Sequence, residues 1–365
     1  MSAVTATRDE RELDIDQAKS FTEALAGHYN SAAITIMISI GHKTRLFDRM
    51  AGLPAATSAV IADAAELNER YVREWLAAMV TGRVVEYDPR TKTYWLPAEH
   101  AASLTRQAEL GNMAVYSQFA AMMGGMQDEL LHHFREGGGT HYHEYHGFHD
   151  IMAEDSDQTI VAAIDDKVVP LVPGLRQKLE AGIDVLDVGC GKGHAMIAFA
   201  ERFPNSHFRG YDFSADAIEK GRRIVAEKGL TNVQLEVFDM SDFGELDRYD
   251  LITTFDAVHD QKHPQLLIKA IHAGLKRGGT YVMQDIAGSA YLENNIDMPM
   301  AAYLYTVSCL HCMAISLGQG GDGLGTMWGW ETAQEMLRVA GFASITKHVL
   351  EHDPLNVWFV SSKAA

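Results

Sequence analysis

The residues best able to do chemistry in this 365-residue chain begin at Asp187-Val-Gly-Cys-Gly-Lys-Gly193. Gly189, Gly191 and Gly193 alternate, so the backbone can take positive φ and approach a ligand closely. An apolar run (Ile183, Val185, Leu186, Val188) precedes them, and an amphipathic stretch from Ala195 to Phe203 follows. A strand, a glycine turn and a helix make a cradle, in which the unpaired N–H groups of the helix N-terminus face a small ligand. Asp212 ends the next expected strand, His207–Asp212, and Asp239 follows the one after it, which starts at Val233. Three successive strands thus deliver an acid to one edge. An acid after the second strand suits a ribose diol. An acid after the third can accept from an adenine amino group. A dinucleotide fingerprint reads G-x-G-x-x-G, and the shorter spacing here argues against a nicotinamide dehydrogenase.

A fourth expected strand, Tyr249–Phe255, leads into His259-Asp260. Open α/β sheets bind ligands beyond the carboxyl ends of their strands. Histidine titrates near neutrality and suits removal of a substrate proton. Adjacent side chains seldom face each other, so Asp260 is not expected to orient His259. Asp285, closing a fifth strand from Thr280 to Gln284, is an alternative base or a metal ligand, but no acidic metal cluster stands out and no metal is expected. His141, His143, His146 and His149 fall within one short run and read as a solvated, partly aromatic loop rather than a metal site. Cys309-Leu-His-Cys312 has C-x-x-C spacing, yet its flanks read as a buried helix, so core or pocket wall is favoured over zinc. Met122, Met123, Met126, Met152, Met313 and Met327 are soft side chains suited to an apolar pocket.

Other elements must position these groups. Residues 14 to 30 and Ala32 to Met50 read as two helices. Ala59 to Glu66 and Tyr71 to Thr81 follow, the latter capped by Asn68. Val84–Tyr87 and Thr93–Leu96 flank a turn as a hairpin. Three helices and a hairpin make the winged-helix pattern, which often binds DNA. Residues 31 to 105, however, hold eight Lys/Arg against eight Asp/Glu, so there is no basic excess.

The glycine turn with acids on successive strands resembles the class I S-adenosylmethionine-dependent methyltransferases. The order of elements before it is similar to plant-type small-molecule O-methyltransferases and their bacterial relatives. The resemblance implies an α/β, Rossmann-like methyltransferase sheet behind a mostly helical winged-helix-like domain. It divides the chain into 1–105 for dimerisation, 106–180 as helical linker and pocket cover, and 181–365 for cofactor binding and catalysis. It implies S-adenosylmethionine as cofactor and S-adenosylhomocysteine as product. Asp187, Gly189, Cys190, Gly191 and Gly193 would hold the methionine part, Asp212 and Phe213 the ribose, and Asp239 and Met240 the adenine, with Phe255 beside them. Phe148-His-Asp-Ile-Met152 resembles the family's Phe-Asn-x-x-Met segment, with His149 where the family has Asn. Phe148, His149, Met152, Asp285, Tyr303, His311 and Trp328 are the expected acceptor-binding residues. His259-Asp260 matches the family's His-Asp pair and makes His259 the expected general base, though Gln261 replaces the family's Trp.

The net charge of −18 disfavours nucleic acid as a partner. Three cysteines are too few for a disulfide framework. The polar start, Thr5 to Lys19, does not read as a signal peptide, and Ala32 to Ile40 is too short to span a bilayer. A cytoplasmic homodimer is expected, joined through Ile34, Ile36, Met37, Ile40 and Leu46, with no membrane partner. The leading expectation is methyl transfer to oxygen of a small acceptor. A sulfur acceptor is the competitor, and a winged-helix regulator using the cofactor as a ligand is the alternative of another class.

Overall fold

The computed structural model describes residues 13–108 and 110–365; the polar start lies partly outside them. The chain forms two compact units, one ending at Ala120 and one beginning at Ala121.

In the first unit Asp14 caps α1 (Ile15–Lys43), accepting from the N–H groups of Asp16 and Gln17. The helix is continuous where two were expected. Ser31 hydrogen-bonds the Gly27 carbonyl and Thr35 the Ser31 carbonyl, so these polar side chains are satisfied within the helix and break nothing. The break comes instead at Thr44 and Arg45, whose φ is +60°. Then follow α2 (Leu46–Ala51), α3 (Ser58–Ala64) and α4 (Glu69–Thr81), the last capped by Asn68. The hairpin is β1 (Glu86–Asp88) with β2 (Thr93–Trp95). It starts later than expected, because Val84 and Val85 both bond back to the Met79 carbonyl. α5 (Ala98–Leu104) closes the pattern.

Trp75 organises this unit's core. Its ring meets Phe47 edge-on at 5.3 Å, and its Nε1 donates to the Met37 carbonyl at 2.8 Å. Gly41 makes that approach possible, since a Cβ there would lie 2.5 Å from the indole. Leu46 is buried in this same core, and Ile34 and Met37 pack on it. Of the five residues expected at a dimer face, these three therefore serve the chain's own core, while Ile36 and Ile40 remain exposed.

α6 (Ala114–Gly124) carries the chain into the second unit. There α7 (Gln127–Glu136), α8 (Phe148–Ser156) and α9 (Leu175–Ala181) precede a seven-stranded sheet. Its strands and helices are β3 (Asp184–Val188), α10 (His194–Arg202), β4 (His207–Asp212), α11 (Ala215–Glu227), β5 (Val233–Val237), β6 (Tyr249–Phe255), α12 (Pro264–Gly274) and β7 (Leu275–Ile286). β7 begins at Leu275, earlier than the expected Thr280, with a register shift opposite Tyr249. α13 (Ala301–Val307), a π-turn at Ser308–Cys312, and α14 (Met313–Gly318) form the next helical run. α15 (Trp330–Ala340), β8 (Ser344–Leu350) and β9 (Asp353–Ser362) end the chain. Ala301–Gly318 is long and apolar enough to cross a membrane by length and composition. In this fold it buries Leu304, Ala314 and Ile315 in two apolar clusters.

The sheet order is β5-β4-β3-β6-β7-β9-β8. The first five strands run parallel and β9 is antiparallel to both its neighbours. Both faces are covered. Val185, Leu251 and Val282 pack with α10 on one side, and Leu186, Ile252 and Tyr281 pack with α12 and α15 on the other. Strands buried on both faces read as near-continuous apolar runs; β3 and β6 interrupt theirs with Asp184, Asp187, Asp250, Thr253 and Thr254. For the first unit, Trp75→Ala removes a buried ring and an indole hydrogen bond. It should cost about 3–5 kcal/mol, read as an early melting transition in calorimetry.

Candidate active site

β3 and β6 are neighbours in space but not in sequence, so the sheet reverses its winding between them, and a crevice opens at their carboxyl ends. The glycine turn caps β3 there. Gly189 has φ +74°, and a Cβ on it would lie 2.5 Å from the Ala257 Cβ. The missing side chain lets the loop after β6 come against the turn. Asp212, ending β4, accepts from the N–H of Gly191 and of Ser214, each at 2.8 Å. Asp187 is buried and accepts from the Thr253 hydroxyl at 2.7 Å. Burial pushes its carboxyl up to about 7, with Thr253 opposing and Asp212 adding to the shift.

Asp187, Gly189, Cys190, Gly191, Asp212, Phe213, Met240 and Phe255 line one cleft, together with Phe148, His149 and Met152. Two expected cofactor residues are absent from its wall. Gly193, at φ +74°, is the N-cap of α10 and abuts Leu235. Asp239 is exposed and accepts from the Ser241 N–H, capping a short turn.

The groups beyond β6 and β7 form a second layer. His259 is 2% exposed, and its Nδ1 donates to Asp285 Oδ1 at 2.8 Å. The same oxygen accepts from Trp328 Nε1 at 2.9 Å and from the Ile286 N–H. Asp285, not Asp260, thus orients the ring. Asp260 accepts from the Tyr142 hydroxyl and from Gln261 Nε2. Burial opposes charge on His259, but Asp285 and the Cys312 thiol, within hydrogen-bonding reach, prevail and raise its pKa well above the ordinary value. A titration at the ordinary histidine value is therefore not what this site provides. Asp256 stands 3.7 Å from His259 Nδ1, and it lines the cleft while His259 does not.

An aromatic wall closes the other side. Tyr142 stacks on His149 at 5.7 Å and meets Phe213 edge-on at 4.9 Å, and Phe148 stacks on His311 at 4.1 Å. Burial pushes His311 down to about 3, with the charge of His259 next, and burial also lowers His149. Both rings are thus neutral, and each keeps a buried Nε2 without a partner. Tyr303 sits near enough to Asp155 to feel its charge. His141, His143 and His146 are exposed, whereas Tyr142 and Tyr145 between them turn inward. Cys309 and Cys312 are free thiols, and among the described residues neither joins a three-ligand cluster. Tyr142, Asp155, Asp256 and Gln284 line the cleft without having been singled out from the sequence. Asp256 had a readable signal, as the first residue past a strand at the ligand-binding edge. Tyr142 had none, lying 118 residues from its partner Asp260.

Residues 179–341 match the family described as "Methyltransferase domain", and residues 32–106 match the "Rv2258c-like winged HTH domain". The chain is 29% identical over 96 residues to the probable (S)-tetrahydroprotoberberine N-methyltransferase 2 of Papaver bracteatum, a match covering 26% of this chain and 27% of that protein. It is 22% identical over 352 residues to methyltransferase ungE' of Aspergillus campestris, covering 92% and 95% of the two chains. The chain thus spans about a quarter of the first relative's length and nearly all of the second's. In fold it is similar to human N-acetylserotonin methyltransferase, crystallised with S-adenosylmethionine, at TM-score 0.67 and 13% identity over 98% of this chain and 100% of that one. The chain thus carries, in this order, a segment similar to a winged helix-turn-helix family and a segment similar to a methyltransferase-domain family.

Proposed function

We propose that this protein transfers a methyl group from S-adenosylmethionine to a small, partly apolar acceptor, most simply to oxygen. The observation that carries this reading is Asp212, pinned by two backbone N–H groups at the glycine turn and opening on the cleft. A carboxylate has about four acceptor positions, so after those two bonds Asp212 keeps capacity for both ribose hydroxyls. Asp187, buried behind the turn and held at about 7, gains from a cation such as the cofactor's ammonium. Bound in the cleft, the cofactor supplies an already activated methyl. The protein's part is to align the acceptor, exclude water and manage its proton. His259, held by Asp285 on the loop after β6, is the expected base and would serve an oxygen acceptor; a thiol needs less help to ionise. Neutral His149 and His311, each with a free Nε2, suit an uncharged polar acceptor.

We further propose a homodimer in the cytoplasm. Ile15, Tyr29, Ile36 and Ile40 share one face of α1 by their spacing and are all at least 43% exposed. The three free cysteines suit a reducing compartment.

Asp212→Ala should weaken S-adenosylmethionine binding about tenfold or more, the scale of a charge-assisted hydrogen bond; an unchanged calorimetric affinity rules the ribose role out. His259→Ala should leave that affinity intact and lower turnover about a hundredfold or more, as loss of a general base does. Turnover is measured with labelled donor on an acceptor found among phenols, hydroxy acids and thiols. Sedimentation at micromolar concentration should give a dimer that Tyr29→Asp with Ile36→Asp converts to a monomer. A wild-type monomer contradicts the assembly.

A further inference from the structure

We propose that Trp328 is a positioning residue for methyl transfer: its indole N–H fixes the Asp285 carboxylate and, through it, the orientation and proton affinity of His259. The proposal rests on the methyl-transfer reading above. From the sequence, Trp328 is expected to touch the acceptor. In the fold its ring is 5% exposed and packs in the apolar cluster with Tyr281, Met283 and Leu337. An indole has one polar hydrogen, and here it goes to Asp285 Oδ1 at 2.9 Å. The backbone delivers the ring to that place. Gly329, at φ +88°, lies so close to the chain beyond β7 that a Cβ on it would collide with the Ala290 nitrogen. The next N–H, of Trp330, donates to the Gly288 carbonyl at 3.0 Å. Residues 328–330 are thus docked where β7 ends, beside Asp285.

Three donors meet on Asp285 Oδ1, namely Trp328, His259 Nδ1 at 2.8 Å and the Ile286 N–H at 2.8 Å, while Oδ2 is buried without a partner. The Ile286 N–H is next in the chain to the carboxylate, and His259 rides on the loop after β6. Trp328, 43 residues along the chain, is the donor that ties the carboxylate to a separate packed element. Without it the carboxylate can turn and offer Oδ2 to the imidazole instead. The indole also tunes the ring. Its N–H points its positive end at the oxygen that faces the imidazole, which opposes the charged ring. Asp256, 3.7 Å from Nδ1, and Asp260 face His259 from its own loop, and His311 and Cys312 face it from the π-turn. Burial opposes charge on the ring, but Asp285 and Cys312 prevail, so the neutral donor on Asp285 works against an excess of attraction. That matters for a base. An imidazolium accepts no proton, and with Nδ1 committed to Asp285, Nε2 must be free of one to take the acceptor's.

Trp328→Phe keeps an aromatic ring in the cluster and removes the N–H. We expect this variant to bind S-adenosylmethionine in calorimetry with wild-type affinity. Its rate should still rise with pH, but with the midpoint moved up by about half a unit to one unit, so that kcat at about pH 7 falls roughly threefold to tenfold. A loss equal at every pH, or an unmoved midpoint, overturns the proposal, since lost packing alone does not move a titration. A test free of any acceptor follows the His259 imidazole and the indole N–H groups by ¹⁵N NMR in the protein with S-adenosylhomocysteine. One indole resonance should shift with pH through the same midpoint as His259, and should stop doing so in His259→Gln. Indole resonances that all ignore that titration overturn the proposal, and this reading needs no Trp328 variant to fold. A wild-type protein that binds no S-adenosylmethionine overturns the methyl-transfer reading itself, whereas intact binding with an unmoved midpoint overturns only the part given to Trp328.

Discussion

The reversal of winding between β3 and β6 is the constraint on which the rest depends. From β3 the chain moves by crossovers to β4 and then β5, and it returns to β6 on the other side of β3 before continuing to β7. At the β3–β6 boundary no crossover covers the carboxyl ends, and a ligand can reach the backbone. Register then fixes the chemistry. Asp187 pairs with Thr253 across β3 and β6, which brings the Thr253 hydroxyl to the carboxylate. Phe255 pairs with Gln284 across β6 and β7, so Asp256 and Asp285, one residue beyond each, emerge side by side. His259 comes back over them on the following loop. One oxygen or nitrogen from each of the three lies within 4.8 Å of the others.

That edge concentrates negative charge where water is scarce. Asp187, Asp212, Asp260 and Asp285 are all buried, with Asp256 beside them. Burying carboxylates is costly unless they are paired or hydrogen-bonded. The fold meets part of that cost with neutral donors: Thr253, the Gly191 and Ser214 backbone, Tyr142 and Trp328. The rest appears as raised carboxyl pKa values at Asp187, Asp256 and Asp260. A cleft built this way is poised for positively charged ligands.

Much of this was legible in the sequence because it is local. The glycine turn, the strand-ending acids and the capped helix after Asn68 are short-range patterns with a physical cause at each position. Val185, Leu186 and Val188 in β3 and Leu251 and Ile252 in β6 pointed to buried strands. What stayed hidden depends on distance along the chain. Asp285 orients His259 from 26 residues away, and that pairing follows only once β6 and β7 are known to be parallel neighbours. Tyr142 reaches Asp260 from a run that reads as solvated; its His141, His143 and His146 indeed are, while His149 and its tyrosines are not. The unbroken α1 escaped for another reason: a polar Ser31 between apolar segments looks like a break until its hydroxyl is seen to bond within the helix. Asp239 shows the converse, a residue whose position in a pattern is met while its carboxylate caps its own turn.

The raised carboxyl of Asp187 has a thermodynamic consequence for the heat of ligand binding. At neutral pH a group held at about 7 is protonated in a sizeable fraction of molecules. A ligand ammonium beside it favours the carboxylate, so that fraction must release its proton on binding. The released proton is taken up by the buffer. The apparent enthalpy of binding therefore changes with the ionisation enthalpy of the buffer chosen, and the affinity rises with pH until Asp187 is fully ionised. A buried acid behind a glycine turn in this way couples occupancy of the cleft to the proton activity of the solution around it.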